Sequence, residues 1–185
     1  RCSIDVIHHE KPAPFMPGPD ACGASASSSL VFPGGEYRTV GDVDTWSVDF
    51  PVGLPELNIW YRVGHAPPAD TAENRTINQA MLAWGTDGFL IGTAMRPHKG
   101  MAQDRAHNDI STGVIDHTLT FHQPFSVSDW VLMAHESTFA GGGRTYGRCM
   151  IYDRDNRLVA SYVQDNLVRS FPKDVNYEGQ YRTIM

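Results

Sequence analysis

Three consecutive segments decide the fold: IDHTLTFHQPF at 115–125, DWVLMAHESTFAGGGR at 129–144 and YDRDNRLVASYVQDNLVR at 152–169. They are rich in β-branched and aromatic residues and are separated by short polar turns, which is the pattern of strands. It predicts four strands, over 112–123, 130–140, 144–153 and 157–168. Asp153-Arg154-Asp155-Asn156 reads as a hairpin turn. Pro124 and the run Gly141-Gly142-Gly143 mark breaks or bulges at strand ends.

Working outward, the segment before these strands reads as the one convincing helix. Asp70 with Glu73 resembles a capping box, and Pro67 and Pro68 lie just before it. Ile77, Met81, Trp84 and Gly88 recur at helical spacing with Ala80 beside them, a core-facing stripe. The spacing predicts a helix over 71–87. Phe89 to Met95 reads as a buried extension or a connector, and Pro97 to Asp109 as a polar loop. Further upstream, Leu57 to Val63 reads as a strand. Thr45 to Val52 alternates, with Trp46, Val48 and Phe50 on one face, and reads as a half-buried strand. Ser3 to His8 is a short β-like run. Pro12 to Gly35 is dense in Pro, Gly, Ser and Ala and reads as a long, mobile loop. One helix with successive antiparallel strands is an α+β arrangement. The strands must wrap the helix, because its apolar stripe has nothing else to bury against. The expected organisation is a first strand plus insertion over 1–56, the helix-and-sheet domain over 57–170, and a tail over 171–185.

Composition narrows the function. The chain has 185 residues, enough for one domain with a proper core. It is 41% hydrophobic and 19% charged, with a formal net charge of −6. That balance argues against a general nucleic-acid binder, which needs clustered Lys and Arg. No run of 18 apolar residues is present, so no membrane span is expected. Cys2, Cys22 and Cys149 are too few and too scattered for a disulfide framework or a zinc knuckle, and a reducing, cytoplasmic setting is the simpler expectation. A start at Arg1 without a signal-peptide pattern suggests an excised piece.

Two polar residues stand out. Asp87, in WGTDGF, faces the negative end of the helix dipole, unfavourable by roughly 0.3–1 kcal/mol. It is either a solvated cap or a general base whose pKa is raised by the apolar Trp84 and Phe89. Gln164 lies in ASYVQDNLV, where alternation puts Ala160, Tyr162, Gln164 and Asn166 on one face. It is either a solvated strand-end amide or one that orients a water or a carbonyl oxygen. Asp116, His117 and His122 look like a metal set, but 117 and 122 point to opposite faces, and 116 and 122 lie roughly 20 Å apart along a strand. These are read as structural, and no metal is expected. His135-Glu136 lacks the second His of a zinc helix motif. Gly141-Gly142-Gly143-Arg144 is not followed by Lys-Ser/Thr and is no phosphate-binding loop. A ligand can still approach a glycine backbone closely at Gly142 and Gly143, and Arg144 and Arg148 suit an anionic group such as a nucleotide phosphate, unless they are solvated edge residues.

Taken together, IDHTLTFHQPF, DWVLMAHEST, RLVASYVQDNLVR, WGTDGFLIG and LNIWYRV resemble the C-terminal half of the acyl-CoA thioesterase II family, over roughly 57–170. The resemblance implies a hot-dog fold, one half of a double hot-dog, with residues 10–55 standing as an insertion. It implies hydrolysis of acyl-CoA to a free acid and coenzyme A, with no cofactor beyond the coenzyme A of the substrate. It also implies a water held by Asp87 and Gln164. The family's third water ligand, a Ser or Thr, falls on Val114, which cannot hydrogen-bond. Thr112 shares Val114's face two residues away, with Ser111 beside it. Expected substrate contacts are Trp84, Phe89, Gly142, Gly143 and Arg144. A lone half should pair with a copy of itself or with a separate N-terminal half. Two other readings stand beside hydrolysis: another acyl-group chemistry such as dehydration on the same scaffold, or a non-catalytic half that completes a partner's site.

Overall fold

A computed structural model describes residues 8–23 and 32–171. The sheet consists of β1 (Glu36–Thr39), β2 (Glu56–Arg62), β3 (Ile110–Phe121), β4 (Val131–Gly141), β5 (Arg144–Tyr152) and β6 (Leu158–Ser170). Between β2 and β3 lie two helices, α1 (Ala72–Gly85) and α2 (Phe89–Met95). The six strands form one sheet in the order β1-β2-β4-β5-β6-β3, with every neighbouring pair antiparallel. The expected α+β arrangement is present, and the four downstream strands lie within a few residues of their expected bounds.

Both helices pack on the inner face of this sheet. Leu82, Phe89 and Leu90 join Ile59, Tyr61, Met133, Cys149, Ile151 and Tyr162 in the main core. The Tyr61 hydroxyl donates to the Met81 carbonyl at 3.0 Å, tying β2 to α1. A second apolar layer of Trp60, Trp130, Leu132 and Tyr152 lies on the outer face, with Ala13 and Met16 packed against it. Segment 8–23 therefore lies across the sheet: Trp60 Nε1 donates to the Pro17 carbonyl at 2.9 Å and the Tyr152 hydroxyl to that of Pro12 at 3.3 Å. Apart from one 3-10 turn at Pro19–Ala21 it is irregular, yet it is fastened by these bonds.

Several expectations are corrected. Helix α1 begins one residue later than the capping box suggests: its cap is Thr71, whose side chain accepts from the Asn74 backbone N–H at 3.1 Å. Its buried residues are Asn78, Leu82 and Gly85, not the expected stripe. The helix is turned so that Trp84 is 55% exposed. Two contacts fix this rotation. Asn78 is buried because its side chain accepts from the Val127 backbone N–H and donates to the Pro67 carbonyl, each at 2.8 Å. Gly85 faces the Tyr61 ring, where any Cβ would meet ring carbon at 2.7 Å. Phe89 to Met95 is a helix of its own. Thr45 to Val52 is not a strand. The Asp44 carboxylate and the Ser47 hydroxyl accept from backbone N–H groups two residues on, an alternative to ladder pairing. The Thr45 and Trp46 carbonyls accept from Gln103 and Asp104 instead. The strand β1 has no counterpart among the elements expected from the sequence. Of the run Ser3–His8, only His8 is among the described residues, and it is not in a strand.

One irregularity decides which side chains of β3 face the helices. The β3–β6 register is interrupted between Val114 and Asp116, leaving Ile115 as an extra residue. Val114 therefore pairs with Asn166 and His117 with Gln164. Without this bulge, Val114 and His117 would point to opposite faces; with it, both share the face of β6 that carries Gln164.

Candidate active site

Gln164 sits in the middle of β6 with no exposed surface. The expected alternation holds: Tyr162, Gln164 and Asn166 are all buried, and Val163 and Asp165 between them are less so. The helix α1 ends at Gly85, and the turn after it carries Asp87 over this part of the sheet. Gln164 Nε2 donates to the main-chain oxygen of Asp87 at 3.1 Å. The two residues singled out from the sequence, 77 positions apart, thus meet where the helix end crosses β6.

His117 completes the contact. Its Nδ1 lies 3.4 Å from Gln164 Nε2, and its Nε2 lies 3.3 Å from the Thr86 hydroxyl. The Thr86 hydroxyl donates to the Ala83 carbonyl at 2.7 Å. The His117 ring stacks on Tyr162 with centroids 5.0 Å apart. Burial holds the His117 pKa below the ordinary histidine value, while the carboxylates of Asp87 and Asp116 pull it back up. Burial also pushes the Tyr162 phenol and the Cys149 thiol well above their usual values. The neighbouring His135 is enclosed between Phe89 and Tyr162, with Nδ1 bonded to the Leu57 carbonyl at 2.9 Å. Its pKa is pushed down to about 4 by burial.

Two buried carboxamide oxygens on β6 have no partner among the described residues, Oε1 of Gln164 and Oδ1 of Asn166. The Asn166 amide is oriented by its Nδ2, which donates to the Thr145 hydroxyl at 3.3 Å. A buried acceptor left unpaired is costly unless something binds there.

The remaining sequence candidates separate. Asp87 is exposed, Trp84 is turned outward, and Phe89 points into the core against Tyr37 and His135, so the expected apolar pocket around the carboxylate is absent from this half. Val114 lies on the site face directly across from Asn166. Thr112 lies two residues further along β3, opposite Val168. Gly142 and Gly143 have φ of 60° and 76° and make the tight β4–β5 turn, a conformation that suits glycine. Arg144 forks onto the Asp165 carboxylate, on the sheet face opposite Gln164, and Arg148 pairs with Glu136. Neither guanidinium reaches Gln164. Sequence reading sets His117 aside as structural and gives Asn166 no role. The signal that finds them is register: each stands in a ladder pair with a site position, His117 across from Gln164 and Asn166 across from Val114. Among the described residues, no cluster of His, Cys, Asp and Glu forms a metal site, and no helix is long and apolar enough to cross a membrane.

Comparison with known proteins gives this geometry its family. A relative named acyl-CoA thioesterase 2, from Haemophilus influenzae, is 35% identical over 111 residues, which is 60% of this chain and 36% of that protein. The chain therefore spans about a third of the length of this curated relative. The crystal structure of acyl-CoA thioesterase II TesB2 from Mycobacterium marinum superposes with a TM-score of 0.65 at 23% identity, over 91% of this chain and 59% of that one. A hot-dog-fold protein from Alicyclobacillus acidocaldarius superposes with a TM-score of 0.63 at 16% identity, over 90% and 58% of the two chains. The fold is a hot-dog. The family model described as the acyl-CoA thioesterase C-terminal domain matches residues 11–168, which takes in most of the stretch read as an insertion. This chain belongs to the acyl-CoA thioesterase C-terminal domain family.

Proposed function

We propose that this chain is the half of an acyl-CoA thioesterase that carries the water-activating residues, and that it hydrolyses acyl-CoA to a free acid and coenzyme A. The observation behind this reading is the 3.1 Å bond from Gln164 Nε2 to the main-chain oxygen of Asp87, which holds the buried Gln164 carboxamide against the turn that carries the Asp87 carboxylate. The water oxygen bonds to the thioester carbonyl carbon while the Asp87 carboxylate takes one water proton and Gln164 Oε1 holds the other hydrogen. The tetrahedral intermediate collapses, the C–S bond breaks, and the proton from Asp87 passes to the coenzyme A thiolate. Coenzyme A enters as part of the substrate, and the scheme uses no other cofactor. The two described cysteines, Cys22 and Cys149, are free thiols, which suits a reducing, cytoplasmic setting.

A second hot-dog half, either another copy of this chain or a separate chain, is part of the proposal. β3 is an edge strand of 12 residues, and Ile115 on it is 53% exposed. A mass measurement in solution tests this: a monomer that hydrolyses acyl-CoA would overturn the pairing.

The activity test is thiol release from short-, medium- and long-chain acyl-CoA, beside the Asp87→Asn variant. Release that vanishes in the variant is expected. No release from any substrate would overturn the hydrolase reading. The Val114 side chain, which lacks a hydroxyl, would then favour the second reading, a non-catalytic half that completes a partner's site.

A further inference from the structure

We propose that His117 is the positioning residue of this site: it fixes the Gln164 carboxamide so that Oε1, and not the NH2 group, faces the reacting water. The inference rests on the hydrolase reading. Its ground is a hydrogen-bond chain in which every donor and acceptor is assigned by its neighbours. The Thr86 hydroxyl gives its one hydrogen to the Ala83 carbonyl, so toward His117 it only accepts. His117 Nε2, at 3.3 Å, must then carry the hydrogen. Neutral imidazole leaves Nδ1 as an acceptor, and Gln164 Nε2 at 3.4 Å is the donor that meets it. The second Nε2 hydrogen goes to the Asp87 carbonyl at 3.1 Å. Both Gln164 hydrogens are thereby committed, and Oε1 is the group left without a partner among the described residues.

The arrangement has one solution. A flipped carboxamide would set Oε1 against two acceptors, the Asp87 carbonyl and His117 Nδ1. Stacking on Tyr162 holds the ring in plane, and the bulge at Ile115 brings it to this face. Protonation of His117 at Nδ1 breaks the pattern, since a donor then faces the Gln164 donors. Flipping the amide to satisfy that donor sets Oε1 against the Asp87 carbonyl, so neither orientation satisfies both neighbours. The charged groups facing His117 are Asp87 from the turn after α1 and Asp116 from its own strand; Thr86 from the helix end and Tyr162 and Gln164 from β6 are uncharged. Activity should fall as His117 protonates.

The test is the pH profile of acyl-CoA hydrolysis by the full chain, followed by thiol release, for wild type, His117→Ala and His117→Asn. His117→Ala removes one of the two acceptors that hold the Gln164 amide, leaving only the Asp87 carbonyl, and should lower kcat by roughly 10- to 100-fold, with KM within about twofold, as small misplacements of a reacting group do. In His117→Asn, the carboxamide oxygen replaces Nδ1 as the acceptor and does not titrate. It should recover kcat to within about fivefold and move the acid limb to lower pH. A His117→Ala variant with wild-type kcat and an unchanged profile would overturn the proposal. Should His117→Ala fail to fold, an acid limb in His117→Asn identical to wild type would do the same. A wild-type chain that releases no thiol from any acyl-CoA would overturn the hydrolase reading first and this proposal with it.

Discussion

Gln164 Nε2 donates to the main-chain oxygen of Asp87 at 3.1 Å, so the middle of the last strand is bonded to the turn that ends the long helix. The bond uses the backbone of Asp87 and leaves its carboxylate exposed, free to act on a neighbouring molecule. Position and chemistry are thus separated within one residue.

That separation gives Asp87→Asn a specific signature. The main-chain carbonyl that Gln164 holds is untouched, so the unfolding midpoint should stay close to wild type. The proton acceptor is lost, and kcat for acyl-CoA hydrolysis should fall by about 10²- to 10⁴-fold, the usual contribution of a general base. Steady-state thiol release together with thermal unfolding checks this, and retained turnover would remove Asp87 from the mechanism.

Gln164→Ala should damage both properties. The Asp87 carbonyl and His117 Nδ1 lose their shared donor inside the fold, which costs about 1–3 kcal/mol. Urea unfolding should show that loss, and the same protein should be slow at every acyl chain length. A variant as stable as wild type would mean that the Gln164 bonds contribute nothing to the fold.

Val114→Thr should improve the site. The new hydroxyl would stand opposite Asn166, whose Oδ1 has no partner among the described residues. A donor there satisfies a buried acceptor and adds about 1 kcal/mol of stability. The hydroxyl also supplies the hydrogen-bonding group that Val114 lacks, so kcat should rise. Paired urea titrations and kcat measurements decide; a drop in both would show that the valine methyl groups pack against something a hydroxyl disturbs.

His135 sets an acid limit to stability. Its folded pKa of about 4 lies below the unfolded histidine value near 6.5, so the unfolded chain binds the proton first as pH falls. The stability of the neutral, buried ring is fully present above pH 6.5, declines between 6.5 and 4, and is flat below. The window amounts to roughly 3 kcal/mol. His117, also shifted downward, adds a slope of the same sign. Urea midpoints at pH 7.5 and 4.5 should therefore diverge in wild type and converge partly in His135→Asn; equal divergence in both would place the acid sensitivity elsewhere.

The sequence by itself determined the last four strands, the long helix and half of the candidate site. Strong β patterning set the last four strands. The face of β6 was legible because strand periodicity is local and forces Tyr162, Gln164 and Asn166 to one side. The position of Asp87 just past the helix end was legible for the same reason. The rotation of α1 was not, because its apolar residues are spread widely enough to support more than one buried stripe. Contacts from Tyr61 and Val127, on distant strands and loops, chose Gly85 and Asn78. The β-like alternation at 45–52 failed because short side chains and the 103–104 turn took up its backbone groups. Only the tertiary structure decided that His117 belongs to the site. One extra residue at Ile115 inverts the face of everything beyond it, and the pairing of β3 with a strand some 50 residues later fixes who meets whom. Periodicity is a property of neighbours in sequence, whereas register is set by the packing of the whole sheet.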